Sequence, residues 1–189
     1  MNRLMVMLLA ALLLSTGTAQ ALELKGVKLP ETTTLSPGPV ELVLNGAGVR
    51  SKFFVSVYVG ALYLPAPRRE ATAVLKAVEP RRVAMHFVYE QVAAKKLQAA
   101  WEDGFVDNQT KDTLATLRER LDQFKALFGD AVAGDVIWLD FVPDRGTTVS
   151  FNGTVAETIP GDDFNQALLA VWLGEEPADS GLKRGMLGD

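Results

Sequence analysis

The sequence predicts an α+β domain, in which strands pair in hairpins and helices lie between and after them. Three observations carry this prediction: a long strand-like run in the first half of the chain, amphipathic helical segments after it, and closely spaced strands with turn signals near the end. A doubly wound parallel sheet is disfavoured, because helices do not separate the strands one by one.

The chain has 189 residues, no cysteine, 19 basic and 23 acidic side chains, and a net charge of −4. This composition excludes a disulfide scaffold, a charged disordered chain and a strongly basic nucleic-acid binder. Eleven apolar residues at 4–14 follow Arg3 and precede Ala19-Gln20-Ala21, the pattern of a secretory signal peptide. We therefore expect a cleaved leader at 1–21, a single domain at 22–189 and export to a bacterial periplasm without a stable membrane anchor. The alternative is an uncleaved leader that acts as an anchor.

The first half of the domain is strand-like. Residues 40–44 alternate weakly, and Asn45-Gly46-Ala47-Gly48 predicts a turn because it carries two glycines. The run 52–64 is rich in β-branched and aromatic residues, and both of its alternating faces are apolar. It therefore predicts a central strand covered on both sides, which Pro65 and Pro67 end.

A short helix at 69–77 and a strand at 81–90 are expected next. Two longer helices follow, the first at 92–106. The second has apolar residues at three- and four-residue steps and closes at Gly129. Its stripe consists of Leu114, Leu117, Leu121 and Phe124.

The last third predicts a meander of three strands and a closing helix. The strands are 135–142, 147–151 and 154–159, and Asn152-Gly153 between the last two is a strong hairpin signal. The closing helix at 162–174 has acidic residues at its start and an apolar stripe at helical spacing.

Few catalytic constellations are visible. With no cysteine and His86 as the single histidine, the chain offers no Cys/His dyad and no ordinary zinc site, and no cofactor motif is present. His86 lies mid-strand among apolar residues, which favours a structural role over contact with a ligand. Arg50 is unusual because it enters a strand predicted to be buried on both faces, and its planar guanidinium suits a carboxylate. Tyr58 needs a partner if it is buried, and Gly60 is expected to leave space beside it.

Arg50 and Tyr58 are eight residues apart, which is roughly 26 Å along a straight strand. They can meet only if the chain turns or bulges around Ser51-Lys52. The alternatives are an exposed arginine at a strand start and a tyrosine that belongs to the core.

Three motifs together resemble the chalcone isomerase superfamily, and more closely its bacterial, signal-bearing chalcone isomerase-like branch. They are NGAGVR at 45–50, VYVGALYL at 57–64, and the tail with LGE at 173–175 and LKR at 182–184. The resemblance implies an open-faced β-sandwich, a large antiparallel sheet packed against a layer of helices. It also implies an apolar ligand cleft between the sheet and the helices.

The resemblance extends to single positions. Arg50 matches the arginine that polarises the substrate in the plant isomerases. Tyr58 stands where those enzymes carry a threonine, and Val171 stands where they carry a threonine or a serine. The family's catalytic tyrosine and asparagine are expected on the helix at 92–106, which contains neither. Flavonoid ring closure is therefore disfavoured, and the pattern is closer to fatty-acid-binding relatives, in which an arginine and a tyrosine hold the carboxylate.

Three hypotheses follow. The first is a non-catalytic, cofactor-free binder of a fatty acid or similar amphiphilic carboxylate. Its ligand-binding residues are Arg50, Tyr58, Val171 and Trp101, and further wall candidates are Phe54, Leu62, Leu97 and Trp172. The second is an intramolecular lyase or isomerase acting on an unsaturated carbonyl compound, with Arg50 stabilising the enolate and Tyr58 relaying a proton. The third is a ligand-free interaction protein whose cleft large side chains fill, with Arg50 paired to Glu102 or Asp103.

Overall fold

The structure is a computed structural model that describes residues 21–36 and 38–189. The predicted leader lies outside the described residues except for Ala21, so its cleavage stays a prediction. Within the described residues the chain forms eleven strands and five helices. The strands are β1 Leu22–Leu24, β2 Val27–Leu29, β3 Thr32–Leu35, β4 Val40–Lys52, β5 Val55–Leu64, β6 Arg81–Phe87, β7 Gln91–Val92, β8 Ala131–Val132, β9 Val136–Val142, β10 Gly146–Phe151 and β11 Thr154–Ile159.

The helices follow the predicted order. They are α1 Ala71–Lys76, α2 Ala94–Asn108, α3 Lys111–Ala126, α4 Asp162–Leu173 and α5 Ser180–Met186. The apolar stripe of α3 is buried where Leu117, Leu121 and Phe124 face the core, and every residue from Ala167 to Leu173 in α4 is buried. In the described residues, no helix is long and apolar enough to cross a bilayer.

Seven strands form one antiparallel sheet in the order β11-β10-β9-β6-β5-β4-β3. The sheet is curled, since Arg82 on β6 hydrogen-bonds the hydroxyl of Thr33 on β3 although two strands lie between them. The helices pack on one face of this sheet, which confirms the α+β prediction and the open-faced β-sandwich. The ribbon of β1 and β2 contributes apolar side chains to the core on the other face.

Strand β5 lies centrally in the sheet and is buried on both faces, as its two apolar parities predicted. The helix-covered face holds Tyr58, Leu62 and Leu64, whereas Val59, Ala61 and Tyr63 belong to the second core on the opposite face. Strand β5 therefore contributes side chains to both cores.

The turn predicted at Asn45-Gly46-Ala47-Gly48 is wrong, because these residues lie inside β4. Glycine serves another purpose there: a Cβ on Gly46 would overlap the carbonyl oxygen of Gly185, and one on Gly48 would lie 2.9 Å from Cα of Leu182. The two glycines allow α5 to lie directly on β4. The chain turns instead at Phe53-Phe54, between β4 and β5.

Other boundaries differ by less. Helix α3 ends at Ala126 and Leu127 caps it, so Gly129 does not close it as predicted. Helix α2 ends two residues later than expected, at Asn108. The meander and its Asn152-Gly153 turn agree with the prediction. The elements β1, β2, β3, β7, β8 and α5 were not predicted, and each has seven residues or fewer.

Candidate functional site

The β4–β5 hairpin places Arg50 directly opposite Tyr58 in the sheet register. The chain turns at Phe53-Phe54, and a bulge between Arg50 and Ser51 leaves Val57 as an extra residue on β5. The geometric condition for the two side chains to meet is therefore fulfilled. Because residues directly opposite in a sheet point to the same face, Arg50 and Tyr58 share the helix-covered side.

Tyr58 is buried among aromatic side chains. Its hydroxyl accepts a hydrogen bond from the indole Nε1 of Trp172 at 3.0 Å, and its ring packs against Phe87 with centroids 5.6 Å apart. Burial raises the pKa of Tyr58 to about 12, although the Trp172 hydrogen bond and the charge of Arg50 both oppose the shift. The bond from Trp172 does not use the phenol proton, which Tyr58 can still donate.

Arg50 is held loosely. Its Nη1 donates to the carbonyl oxygen of Ser51 at 2.6 Å and lies 3.7 Å from Oδ2 of Asp179, and the side chain is 24% exposed. Asp179 is engaged elsewhere, because its carboxylate accepts from the backbone N–H of Leu182 at 2.9 Å and of Ser51 at 3.2 Å. The guanidinium therefore has no bidentate partner in the described residues, and donors remain for a further anion.

The expected internal acid for Arg50 was Glu102 or Asp103, and this pairing is wrong. Glu102 accepts hydrogen bonds from Arg118 at 2.9 Å and from Lys125 at 2.5 Å, and these bonds lower the pKa of its carboxyl group. The acid beside Arg50 is Asp179, 129 residues away along the chain. Asp179 begins α5, the helix that the sequence did not predict.

Two tryptophans continue the site from Tyr58 into the helical layer. Trp101 on α2 and Trp172 on α4 meet edge to face, with ring centroids 5.5 Å apart. The indole N–H of Trp101 is buried without a hydrogen-bond partner in the described residues. An unpaired buried donor costs about 1–3 kcal/mol, so this N–H is a donor that the described residues leave free inside the helical layer.

Val171 lies beside Trp172 but faces a neighbouring helix. A Cβ added to Gly104 on α2 would lie 2.8 Å from Cγ1 of Val171, so the valine fills the close contact between α2 and α4. The wall candidates Leu62, Leu97 and Trp172 are buried in the helix-side core. Phe54 is fully exposed at the hairpin turn, so its assignment as a wall residue is wrong.

The space expected beside Gly60 is filled by α5. A Cβ on Gly60 would lie 2.9 Å from Cδ1 of Leu182 and 3.3 Å from Cε2 of Tyr58. The hollow next to Trp172, which Arg81 and Asn165 also line, measures about 10 Å³. Such a volume is the size of one water molecule. Because Leu182 fills the space beside Gly60 and Tyr58, a ligand needs Leu182 to move before it can lie along Tyr58.

His86 lies on the opposite side of the sheet. It pairs with Val59 on β5 and Val136 on β9, and Val59 belongs to the core on the face away from the helices. Burial lowers the pKa of His86, which favours its neutral form. This position supports the structural role and separates the imidazole from the Arg50–Tyr58 pair. Within residues 21–36 and 38–189, no three metal-binding side chains are grouped to hold an ion.

The polar side chains of α2 bear on possible catalysis. The helix contains no tyrosine, and its asparagine is Asn108 at the last position. The Asn108 amide donates to the carbonyl oxygens of Gly104 and Glu176 and accepts from the N–H of Glu176. This side chain therefore fixes the segment after α4 and is engaged away from Tyr58.

A curled antiparallel sheet with a layer of helices on one face is the fold of a chalcone isomerase-like domain. The chain belongs to the chalcone isomerase-like family, whose pattern matches residues 21–188. Its fold is similar to that of a fatty-acid binding protein from Arabidopsis thaliana, with a TM-score of 0.64 and 16% sequence identity over 86% of this chain and 92% of the plant chain. A comparison with curated protein sequences gives no significant match.

Proposed function

We propose that the protein is an exported, non-catalytic binder of a fatty acid or a similar amphiphilic carboxylate, and that it works in the periplasm. The observation that carries this proposal is the pairing of a loosely held Arg50 with the buried phenol of Tyr58. Arginine offers the carboxylate two parallel N–H donors, and Tyr58 adds an O–H donor from the apolar side. The plant protein of similar fold, which is described as a fatty-acid binding protein, supports the same ligand class.

Ligand entry in this proposal displaces α5. The ligand carboxylate takes the place of Asp179 beside Arg50, and the acyl chain takes the place of Leu182 above Gly60. Helix α5 has seven residues and holds β4 through backbone contacts at Gly46 and Gly48. A helix of this length is marginal by itself, so its position depends on packing that a ligand can replace.

The site chemistry favours binding over catalysis. A general acid or base works best with a pKa near the working pH, and the pKa of Tyr58 lies near 12. The side chains of Trp172 and Arg50 that face Tyr58 are hydrogen-bond donors without an acceptor atom, so neither can serve as a general base. The alternative of an intramolecular lyase acting on a chalcone-like compound would gain support from turnover that Arg50→Ala abolishes.

To test this proposal, the chain is expressed with its leader, and the purified protein is analysed by native mass spectrometry and lipid extraction. We expect a co-purified fatty acid in the wild type and at least about tenfold less in Arg50→Ala, because a desolvated arginine–carboxylate contact contributes several kcal/mol. Arg69→Ala is the matched control, since Arg69 is exposed and makes one long contact to Asp189 at 3.5 Å. Equal fatty-acid occupancy in the two variants would sink the proposal. The same preparation tests export, through the mass of the processed chain and its recovery in the periplasmic fraction.

A second candidate function rests on the filled space between sheet and helices. Leu182 and the two tryptophans occupy the region beside Tyr58, which is what the hypothesis of a ligand-free interaction protein expects. Under this hypothesis the wild-type protein carries no lipid and takes none up from added fatty acid. The same mass measurement therefore separates the two functions.

A further inference from the structure

Two-residue hairpin turns occur at three places in the described residues. They lie at Lys25-Gly26, Phe53-Phe54 and Asn152-Gly153, and in each turn both residues have positive φ. Such turns favour Asn-Gly and related pairs, because glycine and asparagine tolerate this conformation. Two of the three turns follow that rule with a glycine at the second position. The third carries two phenylalanines, with φ of 50° and 68°.

Neither phenylalanine belongs to a core of the described residues that would offset the cost of its conformation. A bulky residue at positive φ is strained, and Phe53 and Phe54 are consecutive. Phe53 is 86% exposed and Phe54 is fully exposed, so neither ring contributes to a core. Strain combined with exposure of two aromatic rings points to a use outside the fold.

The residues around the turn extend this surface. We define the aromatic tip as Lys52, Phe53, Phe54 and Val55; the ammonium of Lys52 lies 6.0 Å from the Phe53 ring, and Val55 is exposed. Tyr89 is exposed as well and lies near the same end of the sheet, because its N–H donates to the carbonyl oxygen of Val57. The tip is thus a convex apolar point with a cation beside it.

We infer that the aromatic tip inserts into the interface of an anionic phospholipid bilayer. The two phenyl rings suit the boundary between headgroups and acyl chains, and the ammonium of Lys52 suits the lipid phosphates. A bilayer accommodates a convex point without a matching pocket, whereas a protein partner must supply one. Arg50 lies on the same hairpin, and two cross-strand pairs separate the Arg50–Tyr58 pair from the turn. Insertion of the tip therefore brings this pair close to the lipid surface.

Flotation with vesicles of phosphatidylethanolamine and phosphatidylglycerol tests this inference. The decisive variant is Phe53→Asn combined with Phe54→Gly, which gives the turn the residues found at 152 and 153. We expect the vesicle-bound fraction to fall at least about tenfold, since the variant lacks the two phenyl rings that the wild type buries in the bilayer. The melting temperature should stay unchanged or rise, because the strain is removed. Lys52→Glu should lower binding to the same vesicles severalfold.

Val155→Ser is the matched control, because Val155 is an exposed apolar residue on β11. The control should keep the wild-type bound fraction. Flotation measures vesicle binding and not fatty-acid content, so the result does not depend on the proposed ligand site. Mass spectrometry checks that all variants share one N-terminus, so that any retained leader contributes equally. Equal flotation of the Asn-Gly variant and the wild type would overturn the inference. The inference would also be overturned if the wild-type protein did not bind vesicles and instead self-associated through the aromatic tip in sedimentation experiments.

Discussion

Strand β5 carries two tyrosines that each lie directly opposite an arginine, and the two pairs face opposite sides of the sheet. Tyr58 is opposite Arg50 on the helix-covered face, and Tyr63 is opposite Arg82 on the other face. Burial raises the pKa of both phenols to about 12. The same two residue types therefore meet twice on one strand, in two different electrostatic settings.

The pair on the far face is complete. Arg82 holds Asp140 through two hydrogen bonds of 2.6 and 2.7 Å, donates to Thr33, and stacks 4.1 Å from the centre of the Trp138 ring. Tyr63 donates to the carbonyl oxygen of Pro30 at 3.2 Å. Arg50, by contrast, has a 3.7 Å contact to a carboxylate that two backbone N–H groups already engage. The fold therefore pairs Arg82 with acceptors on several sides, whereas Arg50 keeps donors free.

The largest expected effect is the loss of the complete pair. Arg82→Ala should lower the free energy of unfolding by about 3–5 kcal/mol, because Asp140 would remain buried without its partner. Urea denaturation followed by tryptophan fluorescence measures this change. The contrast between the two arginines would fail if the same substitution at position 50 were equally damaging.

Alkaline pH should destabilise the protein through the buried phenols. Below pH 10 the Tyr58 phenol is protonated in both the folded and the unfolded protein. Above pH 10 the phenol ionises in the unfolded chain, whereas in the folded protein it keeps its proton until the pH reaches its pKa of about 12. Stability is thus lost as pH rises from 10 to 12, by up to about 3 kcal/mol for this residue. Unfolding at a series of pH values should give a shallower loss in Tyr58→Phe. An unchanged slope in this variant would mean that Tyr58 is not the buried titrating group.

Leu182→Ala should cost about 2 kcal/mol, near the lower end for a buried leucine, because α5 can settle over the gap. The same variant should take up more fatty acid than the wild type, since the space above Gly60 becomes free. Thermal unfolding and lipid titration by fluorescence measure the two effects. A loss of stability without a gain in uptake would argue against this route for the acyl chain.

The smallest expected effect on stability is that of Arg50→Ala. We expect a change within about 1 kcal/mol, as is usual for a partly exposed ion pair. Denaturation of the ligand-free protein provides the measurement. A loss above about 2 kcal/mol would make Arg50 a structural residue like Arg82.

Local sequence patterns predicted much of this fold. The two-faced apolar run of β5, the stripe of α3 and the Asn152-Gly153 hairpin each depend on neighbours in the chain. The stripe and the hairpin were found where expected, whereas the single strand predicted at 52–64 is interrupted by the turn at Phe53-Phe54, so that β5 begins at Val55. Gly46 and Gly48 were misassigned because glycine serves both tight turns and close contacts. The close contact here is with Gly185 and Leu182, far along the chain.

The site was predictable only in part. Arg50 and Tyr58 could be selected by residue type, but their register depends on a turn made by two aromatic residues that predict strand. The acid beside Arg50 could not be found, because Asp179 begins a helix too short to show a periodic pattern. The ligand-binding assignment of Arg50, Tyr58, Val171 and Trp101 stays a prediction.

The glycine contacts with α5 also join distant parts of the chain. Gly46 and Gly48 on β4 and Gly60 on β5 all lie against the segment 182–188. This part of the sheet is therefore covered only by a contact between segments that are far apart along the chain, which is the kind of contact that forms slowly in folding. A substitution at Leu182 acts directly on the interior around Tyr58, although Leu182 lies in a short helix near the surface.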